Sequence, residues 1–285
     1  VSLSDSPTLA QLKAINPATS GEISLSTTDV AYSGSSSDLA LALDGTINHN
    51  GIVTITNDDY TLAQLKTIND ATSGNIVIQK DSTTAELVTI NNNSDGSITL
   101  SDGTQSLSGT ASQLVEALAG TINFSGAVTI TGTYTLAQLK TINDKTSGAI
   151  TLNDTTVDLS GSSSDLAAAF AGTITTHTGN VGITNNDYTL AELVSINNAT
   201  SGTITLTHTD VAISGDSSDY SAALAGNINY TGNVTISNAD YTVTELKNIN
   251  NGTTGTITLQ TTNTALTGDA TDLKEALAGI TNYSG

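Results

Sequence analysis

A short amphipathic pattern recurs along the chain, and its clearest copy covers residues 60–74. Leu62, Leu65 and Ile68 are spaced by three residues with polar residues between them, which predicts one apolar face on a helix of about two and a half turns. Thr61 and Gln64 carry the signature of a capping box, so the helix should begin directly after Thr61. Further copies carry the same signature at Thr8/Gln11, Thr83/Glu86, Thr135/Gln138, Thr189/Glu192 and Thr242/Glu245.

The same copies predict how each helix is anchored and how it ends. A Tyr before the cap is expected to pack on a Leu inside the helix as a hydrophobic staple. Asn69 and Gly74 tolerate left-handed backbone, so the helix should end near Asn69 and turn into a short strand at residues 75–78. The predicted staples are Tyr60/Leu65, Tyr134/Leu139, Tyr188/Leu193 and Tyr241/Leu246.

A second unit alternates with the first, and residues 157–174 are its best example. It reads as strand, cap, helix and glycine stop, with relatives that begin at Val30, Gln105, Val211 and Thr264. Its predicted buried pairs at i and i+4 are Leu39/Leu43, Leu114/Leu118, Leu166/Phe170, Tyr220/Leu224 and Leu273/Leu277. The glycines expected to end these helices are Gly45, Gly120, Gly172, Gly226 and Gly279.

The distance between copies gives the length of the repeat. The interval from Thr135 to Thr189 holds one double unit of two coils, so one coil has about 26 residues. The interval from Thr61 to Thr135 is longer by most of one coil, and this excess predicts one extra coil near residues 79–100. We therefore predict an α/β fold, a single solenoid array over residues 1–285 in which each coil carries one short helix and two short strands in stacked parallel sheets. Paired coils start near residues 8, 61, 135, 189 and 242. The alternative is an all-β helix with these helices as loops, and the repeated capping boxes argue against it.

Composition excludes some classes of partner. The chain has 27 acidic residues and 7 basic ones, all Lys, for a net charge of -20. An acidic surface without Arg does not neutralise phosphates, so we expect neither nucleic acid nor anionic membrane as partner and favour cations. No apolar run reaches the roughly 18 residues of a spanning helix, so no membrane insertion is expected. The chain opens on Val without a signal peptide, which predicts an excerpt of a longer protein.

Two polar residue types recur in register with the repeat. The Asn set is expected to form a ladder that satisfies backbone groups at a corner of every other coil. Thr alternates with apolar residues in strands such as residues 53–56, 150–152 and 204–206, which predicts rows of Thr on a sheet face. Such rows match an ordered lattice such as ice or crystalline glycan, or they reflect the strand propensity of Thr on a solvated face, which is the interpretation we favour. The Asn set is Asn16, Asn69, Asn91, Asn143, Asn197 and Asn250.

The acidic residues fall into two groups. Oxygen-rich loops before the staple Tyr offer calcium candidates, and no Asp-x-Asp-x-Asp-Gly loop accompanies them. A second group lies in the first turn of the second helix, where carboxylates cap the helix and favour its dipole. The calcium candidates are Asp58, Asp59, Asp187 and Asp240. The capping acids are Asp38, Asp165, Asp219 and Asp272.

An enzyme is the function that the sequence supports least. His49, His177 and His208 are assigned to different registers of the repeat, and no Ser or carboxylate is placed to form a triad with them. Interruptions of the pattern that would betray a site are confined to Lys80-Asp81 and Lys145. We therefore expect no catalytic residues and no cofactor other than calcium.

The repeat units resemble those of a known class of protein. Residues 134–143, followed by residues 147–152, look like repeats found in very large cell-surface or secreted proteins of cyanobacteria and other marine bacteria. The likeness covers essentially the whole chain. It implies an extracellular array, similar to calcium-associated adhesins, that serves in adhesion, surface coats or spacing.

These observations favour a non-enzymatic structural or interaction segment of an extracellular surface protein. The alternative is a binding module that uses the Thr-rich sheet face or an Asp-lined edge to recognise a glycan, mineral or ice surface, with calcium as a candidate ligand. Self-association of copies, end to end or side by side, is the further partner that we expect.

Overall fold

The computed structural model describes residues 1–57, 61–79, 83–92, 97–100, 102–120 and 123–285. The chain forms two compact units. Unit 1 comprises Val1–Thr131 with Lys145–Ala149, and unit 2 comprises Gly132–Asp144 with Ile150–Gly285. Both units are built from the same short strands and helices.

The helices of both units follow the predicted pattern. Those of unit 1 are α1 Leu9–Ile15, α2 Ser36–Leu43, α3 Leu62–Ala71, α4 Thr84–Asn92 and α5 Ala111–Leu118, with a 3-10 turn at Asn16–Ala18. Those of unit 2 are α6 Leu136–Asn143, α7 Ser163–Ala169, α8 Leu190–Ala199, α9 Ser217–Ala223, α10 Val243–Gly252 and α11 Ala270–Leu277.

The strands are two or three residues long. Those of unit 1 are β1 Ser2–Leu3, β2 Ser24–Leu25, β3 Tyr32–Gly34, β4 Val53–Ile55, β5 Ile76–Ile78, β6 Ile98–Leu100, β7 Leu107–Gly109 and β8 Val128–Ile130. Those of unit 2 are β9 Ile150–Leu152, β10 Leu159–Gly161, β11 Val181–Ile183, β12 Ile204–Leu206, β13 Ile213–Gly215, β14 Val234–Ile236 and β15 Ile257–Leu259.

Capping boxes fix where the helices begin. At α8 the Thr189 hydroxyl accepts from the Glu192 backbone N–H at 3.3 Å, while the Glu192 carboxylate accepts from the Thr189 backbone N–H at 2.8 Å. Complete boxes begin five helices at the predicted Thr residues and a sixth at Thr110, while Thr83 and Glu86 exchange the same two bonds before α4. The helices are therefore specified locally, and the α/β prediction is confirmed over the all-β alternative.

The sheets are parallel and stack one coil on the next. In unit 1, β3, β4, β5 and β6 form one sheet, in which Val53 pairs with Ile76 and Ile76 pairs with Ile98. Unit 2 holds the sheets β10-β11-β12 and β13-β14-β15, whose strands pair in the same parallel manner. The fold is thus a solenoid-like repeat in which paired strands are closer in sequence than the helix spacing of about 26 residues suggests.

Each coil buries a narrow apolar stripe between its helix and its strands. The first and third residues of a strand face inward, as Val234 and Ile236 of β14 do, and both are fully buried. Leu193 and Ile196 of α8 are also buried on the inward side of the coil, as the three-residue spacing predicts. The staple residues Tyr134, Tyr188 and Tyr241 are also buried, whereas Tyr60 lies outside the described residues. A solenoid of this kind needs only a thin core in each coil.

The second helices bury their predicted pairs in α2, α5, α7 and α9. Leu166 and Phe170, for example, are both buried, as is the larger pair of Tyr220 and Leu224. The prediction is wrong for Leu273 and Leu277 of α11, which are only half-buried. In α11 the fully buried residue is Ala276 instead.

The predicted Asn ladder joins neighbouring helices. The Asn143 side-chain amide at the end of α6 donates to the Ala168 carbonyl oxygen of α7 at 2.6 Å. Asn197 of α8 donates in the same way to the Ala222 oxygen of α9 at 2.6 Å. The ladder thereby gives a side-chain donor to carbonyl groups in the last turn of the neighbouring helix. Equivalent bonds are made by Asn16, Asn91 and Asn250.

A column of glycines sets how closely the coils approach. A Cβ atom on Gly202 would lie 2.0 Å from the Gly179 carbonyl oxygen, and one on Gly74 would lie 2.1 Å from the Gly51 oxygen. The expectation of left-handed backbone at Gly74 is wrong, because its φ is not positive. Glycine is needed there because the backbone of the preceding coil leaves no room for a side chain. In unit 1 the column comprises Gly51, Gly74, Gly126 and Gly148, and in unit 2 a column comprises Gly179, Gly202, Gly232, Gly255 and Gly285.

The glycine stops of the second helices are confirmed in part. Gly45, Gly172 and Gly226 follow α2, α7 and α9 with φ of 71°, 71° and 78°. Gly120 and Gly279 follow α5 and α11 without a positive φ. Within the described ranges, no helix is both long and apolar enough for a membrane crossing.

Candidate functional site

The outward face of the sheets carries rows of hydroxyl side chains, which we call the hydroxyl face. In unit 2, Ser214, Thr235 and Thr258 occupy the middle of β13, β14 and β15 and are paired in register. Neighbouring strands are about 4.8 Å apart, so the hydroxyls repeat at that spacing along the row. The predicted Thr rows are therefore present as geometry.

The rows contain interruptions. In the sheet β3-β4-β5-β6 the outward residues are Ser33, Thr54, Val77 and Thr99. In the sheet β10-β11-β12 they are Ser160, Gly182 and Thr205. Val77 and Gly182 each remove one hydroxyl, and a lattice match requires a repeat without such gaps. This pattern is what strand propensity on a solvated face produces.

The calcium candidates Asp187 and Asp240 take part in a structural turn. Each carboxylate accepts a hydrogen bond of 2.7 Å from an Asn two residues earlier, Asn185 or Asn238. Asn185 in turn accepts from the backbone N–H of Ser163, the first residue of α7, at 2.8 Å. The acid therefore orients an Asn that caps the helix of the preceding coil.

The geometry does not bring these acids together with other ligands. Asp58 and Asp59 lie outside the described residues. Among the residues that the structure describes, no group of three or more His, Asp or Glu side chains is placed to hold a metal ion. Calcium takes about six to eight oxygen ligands, so Asp187 and Asp240 each supply only a small part of such a set.

Of the predicted interruptions of the repeat, the structure describes only Lys145. Lys80 and Asp81 lie outside the described residues. The Lys145 ammonium donates to the Ala119 carbonyl oxygen at 3.4 Å. This lysine therefore contacts a helix C-terminus, where a positive charge is favourable, and needs no ligand to explain its place.

Two of the capping acids, Asp38 and Asp272, pair with a lysine of the neighbouring helix, whereas Lys140 of α6 pairs with Asp144 instead of the capping acid Asp165. Asp272 accepts a hydrogen bond from the Lys247 ammonium at 2.7 Å, and Glu275 contacts the same ammonium at 2.8 Å. These hydrogen bonds raise the pKa of Lys247, and the equivalent bond from Lys13 lowers the pKa of Asp38. The pairs are solvent-exposed ion pairs, which contribute little to stability.

Two of the three histidines share one structural position, which corrects the assignment to different registers. His49 and His177 are buried, and their Nε2 atoms each lie 2.7 Å from a carbonyl oxygen, of Val30 and Val157 respectively. Exposed His208 lies elsewhere in the repeat. Neither buried ring meets a Ser nucleophile or a carboxylate in triad geometry, because both ring nitrogens are bound to the stacked backbone and a Thr.

Two of the staple tyrosines act as hydrogen-bond donors, whereas the buried Tyr134 hydroxyl has no partner among the described residues. The Tyr188 hydroxyl donates to the His208 carbonyl oxygen at 2.6 Å, and Tyr241 donates to the Thr261 oxygen at 2.7 Å. Burial raises the pKa of Tyr188 to about 12, and burial with the nearby Asp154 charge raises that of Tyr134 to about 12. These phenols therefore stay protonated at neutral pH and are unsuited to proton abstraction.

A second set of Asn residues, which the sequence analysis did not predict, takes the place of a neighbouring strand in the backbone hydrogen bonding. Asn229 accepts from the Leu206 N–H at 2.7 Å and donates to the Leu206 carbonyl oxygen at 3.2 Å. A side-chain amide therefore makes the two bonds that a neighbouring strand would make. The signal available in the sequence is the recurring Asn directly before an aromatic residue. The equivalent residues are Asn48, Asn123 and Asn282.

Replacing Asn229 with alanine is expected to lower the free energy of unfolding by about 1 kcal/mol, because the Leu206 backbone loses two partners. The matched control is Asn229→Thr, since Thr175 accepts the corresponding Leu152 N–H at 3.1 Å and keeps one of the two bonds. Urea denaturation and hydrogen exchange of the Leu206 amide measure the effect. Unchanged protection of that amide in Asn229→Ala would contradict the assigned role.

Comparison with known proteins gives no independent assignment of this face or of the turns beside it. The chain matches no family model, and a search of curated proteins finds no match.

Proposed function

We propose that the chain is a non-enzymatic structural or interaction segment of an extracellular surface protein, serving as a spacer, an adhesion element or part of a surface coat. The observation that carries the proposal is the use of the conspicuous polar side chains. Asn, Ser, Thr, Tyr and buried His are bound to the backbone or side chains of adjacent coils in both units. Residues engaged in holding coils together are not available as a reactive group.

The acidic surface supports the same proposal. Exposed carboxylates keep a repetitive chain soluble and discourage the sheet edges from pairing with other chains. The lysines that approach them form exposed ion pairs instead of a cationic patch. The surface thus suits an extracellular segment that separates or orders other domains, and ordered stacking of copies, end to end or side by side, belongs to the same proposal.

A second candidate function is adsorption to an ordered surface through the hydroxyl face. The observation in its favour is the in-register row Ser214, Thr235 and Thr258. The ligand would be a crystalline glycan, a mineral or ice, with calcium as a bridging cation at the loop acids. The gaps at Val77 and Gly182 weigh against it, and for this reason we place the structural function first.

Adsorption separates the two proposals. We expect the wild-type chain and the double variant Thr205→Tyr/Thr258→Tyr to adsorb equally to cellulose, chitin, calcium phosphate and ice, because a spacer makes no use of the face. The control is Thr141→Tyr on the exposed side of α6, which adds the same bulk away from the sheets. A loss of adsorption of about tenfold in the double variant alone would replace the structural proposal by the second.

An assay for the release of sugar reducing ends tests the proposal that the chain is not an enzyme. We expect no release from neutral or acidic polysaccharides. Turnover that disappears when Asp187 or Asp240 is replaced would contradict the proposal.

A further inference from the structure

Each unit contains one buried histidine that links three successive coils. His49 lies between Val30, whose carbonyl oxygen is 2.7 Å from Nε2, and Thr72, whose hydroxyl oxygen is 2.8 Å from Nδ1. His177 lies between Val157 at 2.7 Å and Thr200 at 3.2 Å in the same way. Their side chains are bound on both edges, and the residues are only 2 % and 0 % exposed. We call these two arrangements the histidine bridges.

The partners fix the protonation of the ring. A carbonyl oxygen accepts only, so Nε2 carries the hydrogen, and Nδ1 must accept from the Thr hydroxyl. The neutral imidazole therefore uses both of its hydrogen-bonding groups. A second proton on Nδ1 requires the Thr72 hydroxyl to redirect its hydrogen to the Gly51 oxygen at 3.3 Å and to accept from the ring instead, and it places a positive charge in the stack.

Other coils show that packing does not require a titratable ring here. Tyr230 and Tyr283 hold the same position, and their hydroxyls donate to the Val211 and Thr264 carbonyl oxygens at 2.7 and 2.9 Å. Phe124 holds it in unit 1 and is buried as well. An aromatic ring is enough to fill the space, so His adds a proton-binding group that the fold does not need for packing.

The surroundings offer little compensation for an imidazolium. His49 packs on the Tyr32 ring at 5.1 Å, and His177 packs on the Phe170 ring at 5.3 Å. The charge of the exposed Asp158 favours a higher pKa of His177. Asp70 lines a groove with His49, but its carboxylate is already paired with Lys66. Burial is the main cause that lowers the pKa of both histidines below the ordinary value of 6.5.

We propose that the histidine bridges are acid-sensitive contacts, one in each unit, which release the coils that they join when the surrounding pH falls below about 6.5. The proposal goes beyond the structural function and does not depend on it. It concerns how firmly adjacent coils are held, whatever the array carries or contacts.

The direction follows from linkage. Above the ordinary imidazole pKa both folded and unfolded states are neutral, and the contribution of each bridge is fully present. As the pH falls below about 6.5, the unfolded chain takes up the proton first. The coil therefore loses stability until the pH reaches the lowered pKa of the folded state. Asp38, Asp102 and Asp154 have pKa values lowered from 3.8, so these three carboxylates titrate at more acidic pH than this window.

Hydrogen exchange of the full chain at about pH 7.5 and about pH 5 tests the proposal, after correction for the intrinsic exchange rate. We expect protection near Val30, Thr72, Val157 and Thr200 to fall by up to about tenfold for each pH unit below the ordinary imidazole pKa. His49→Tyr, which copies the arrangement at Tyr230, should abolish the loss in unit 1 alone, and His177→Tyr should abolish it in unit 2 alone. His208→Tyr is the control and should change neither.

A measurement on the wild type keeps the test independent of variant folding. In the folded protein the imidazole NMR signals of His49 and His177 should remain those of neutral rings while protection falls, and should shift only at the lower pH at which the loss in their own unit levels off. Titration of both rings without any loss of protection would overturn the proposal. An equal loss of protection in the wild type and in the double His-to-Tyr variant would overturn it as well.

Discussion

Replacing Gly202 with alanine is expected to destabilise the protein by about 3 kcal/mol or more. A Cβ atom at this position would lie 2.0 Å from the Gly179 carbonyl oxygen and 2.6 Å from its carbonyl carbon. Both obstacles are backbone atoms, so no side-chain rotation relieves the clash. The two coils must move apart, which strains the strand pairing between Val181 and Ile204 beside them. Urea denaturation followed by circular dichroism measures the loss.

The control for Gly202→Ala is Gly21→Ala, since a Cβ on Gly21 meets only the Thr19 hydroxyl at 3.8 Å, an ordinary contact. Its effect should stay within about 0.5 kcal/mol. Hydrogen exchange adds the location, because protection in Gly202→Ala should fall first on β11 and β12. Equal stability of the two variants would show that the coils are less tightly stacked than the described backbone indicates.

The helices could be predicted from the sequence because their determinants are local. The box formed by Thr189 and Glu192 acts over three residues, and the Leu193 and Ile196 spacing selects one helix face. The Asn ladder could also be predicted, since one polar residue, Asn, recurs at the same position of the repeat next to an apolar residue. Repetition supplied the information that an alignment of related proteins usually provides.

The pairing of the strands could not be predicted, because the helix spacing includes residues that do not pair. Leu159 pairs with Val181 and Val181 with Ile204, and both steps are shorter than the helix spacing of about 26 residues. The chain then runs on to Ile213, which begins the next sheet with Val234. These connecting residues lengthen the double unit but leave the register of the strand pairing unchanged.

The equivalence of the two buried histidines was hidden by one residue. His49 follows the helix-ending Gly45 by four residues, whereas His177 follows Gly172 by five. A fixed period therefore assigns them to different registers. Their shared contacts depend on where the carbonyl of the preceding coil lies, and that position is a property of the stack rather than of the local sequence.

Replacing Glu192 with alanine is expected to destabilise the protein by about 2 kcal/mol, because this carboxylate serves two coils. It accepts from the Thr189 backbone N–H at 2.8 Å in its own helix and from the Ser163 hydroxyl of the preceding coil at 2.9 Å. Ser163 is fully buried, so its hydroxyl would be left without this acceptor. Thermal and urea denaturation measure the change.

The matched control is Glu192→Gln, which should stay within about 0.5 kcal/mol of the wild type. Gln64 holds this position in unit 1 and accepts from the Ser36 hydroxyl and the Thr61 N–H, both at 2.9 Å, so an amide oxygen is sufficient. A double-mutant cycle with Ser163→Ala isolates the link between the coils, and we expect a coupling energy of about 1 kcal/mol. Full additivity of Glu192→Ala and Ser163→Ala would reduce Glu192 to a local cap, and the link between helices α7 and α8 would then rest on the bond from the Ser163 backbone N–H to Asn185 and on the apolar stripe.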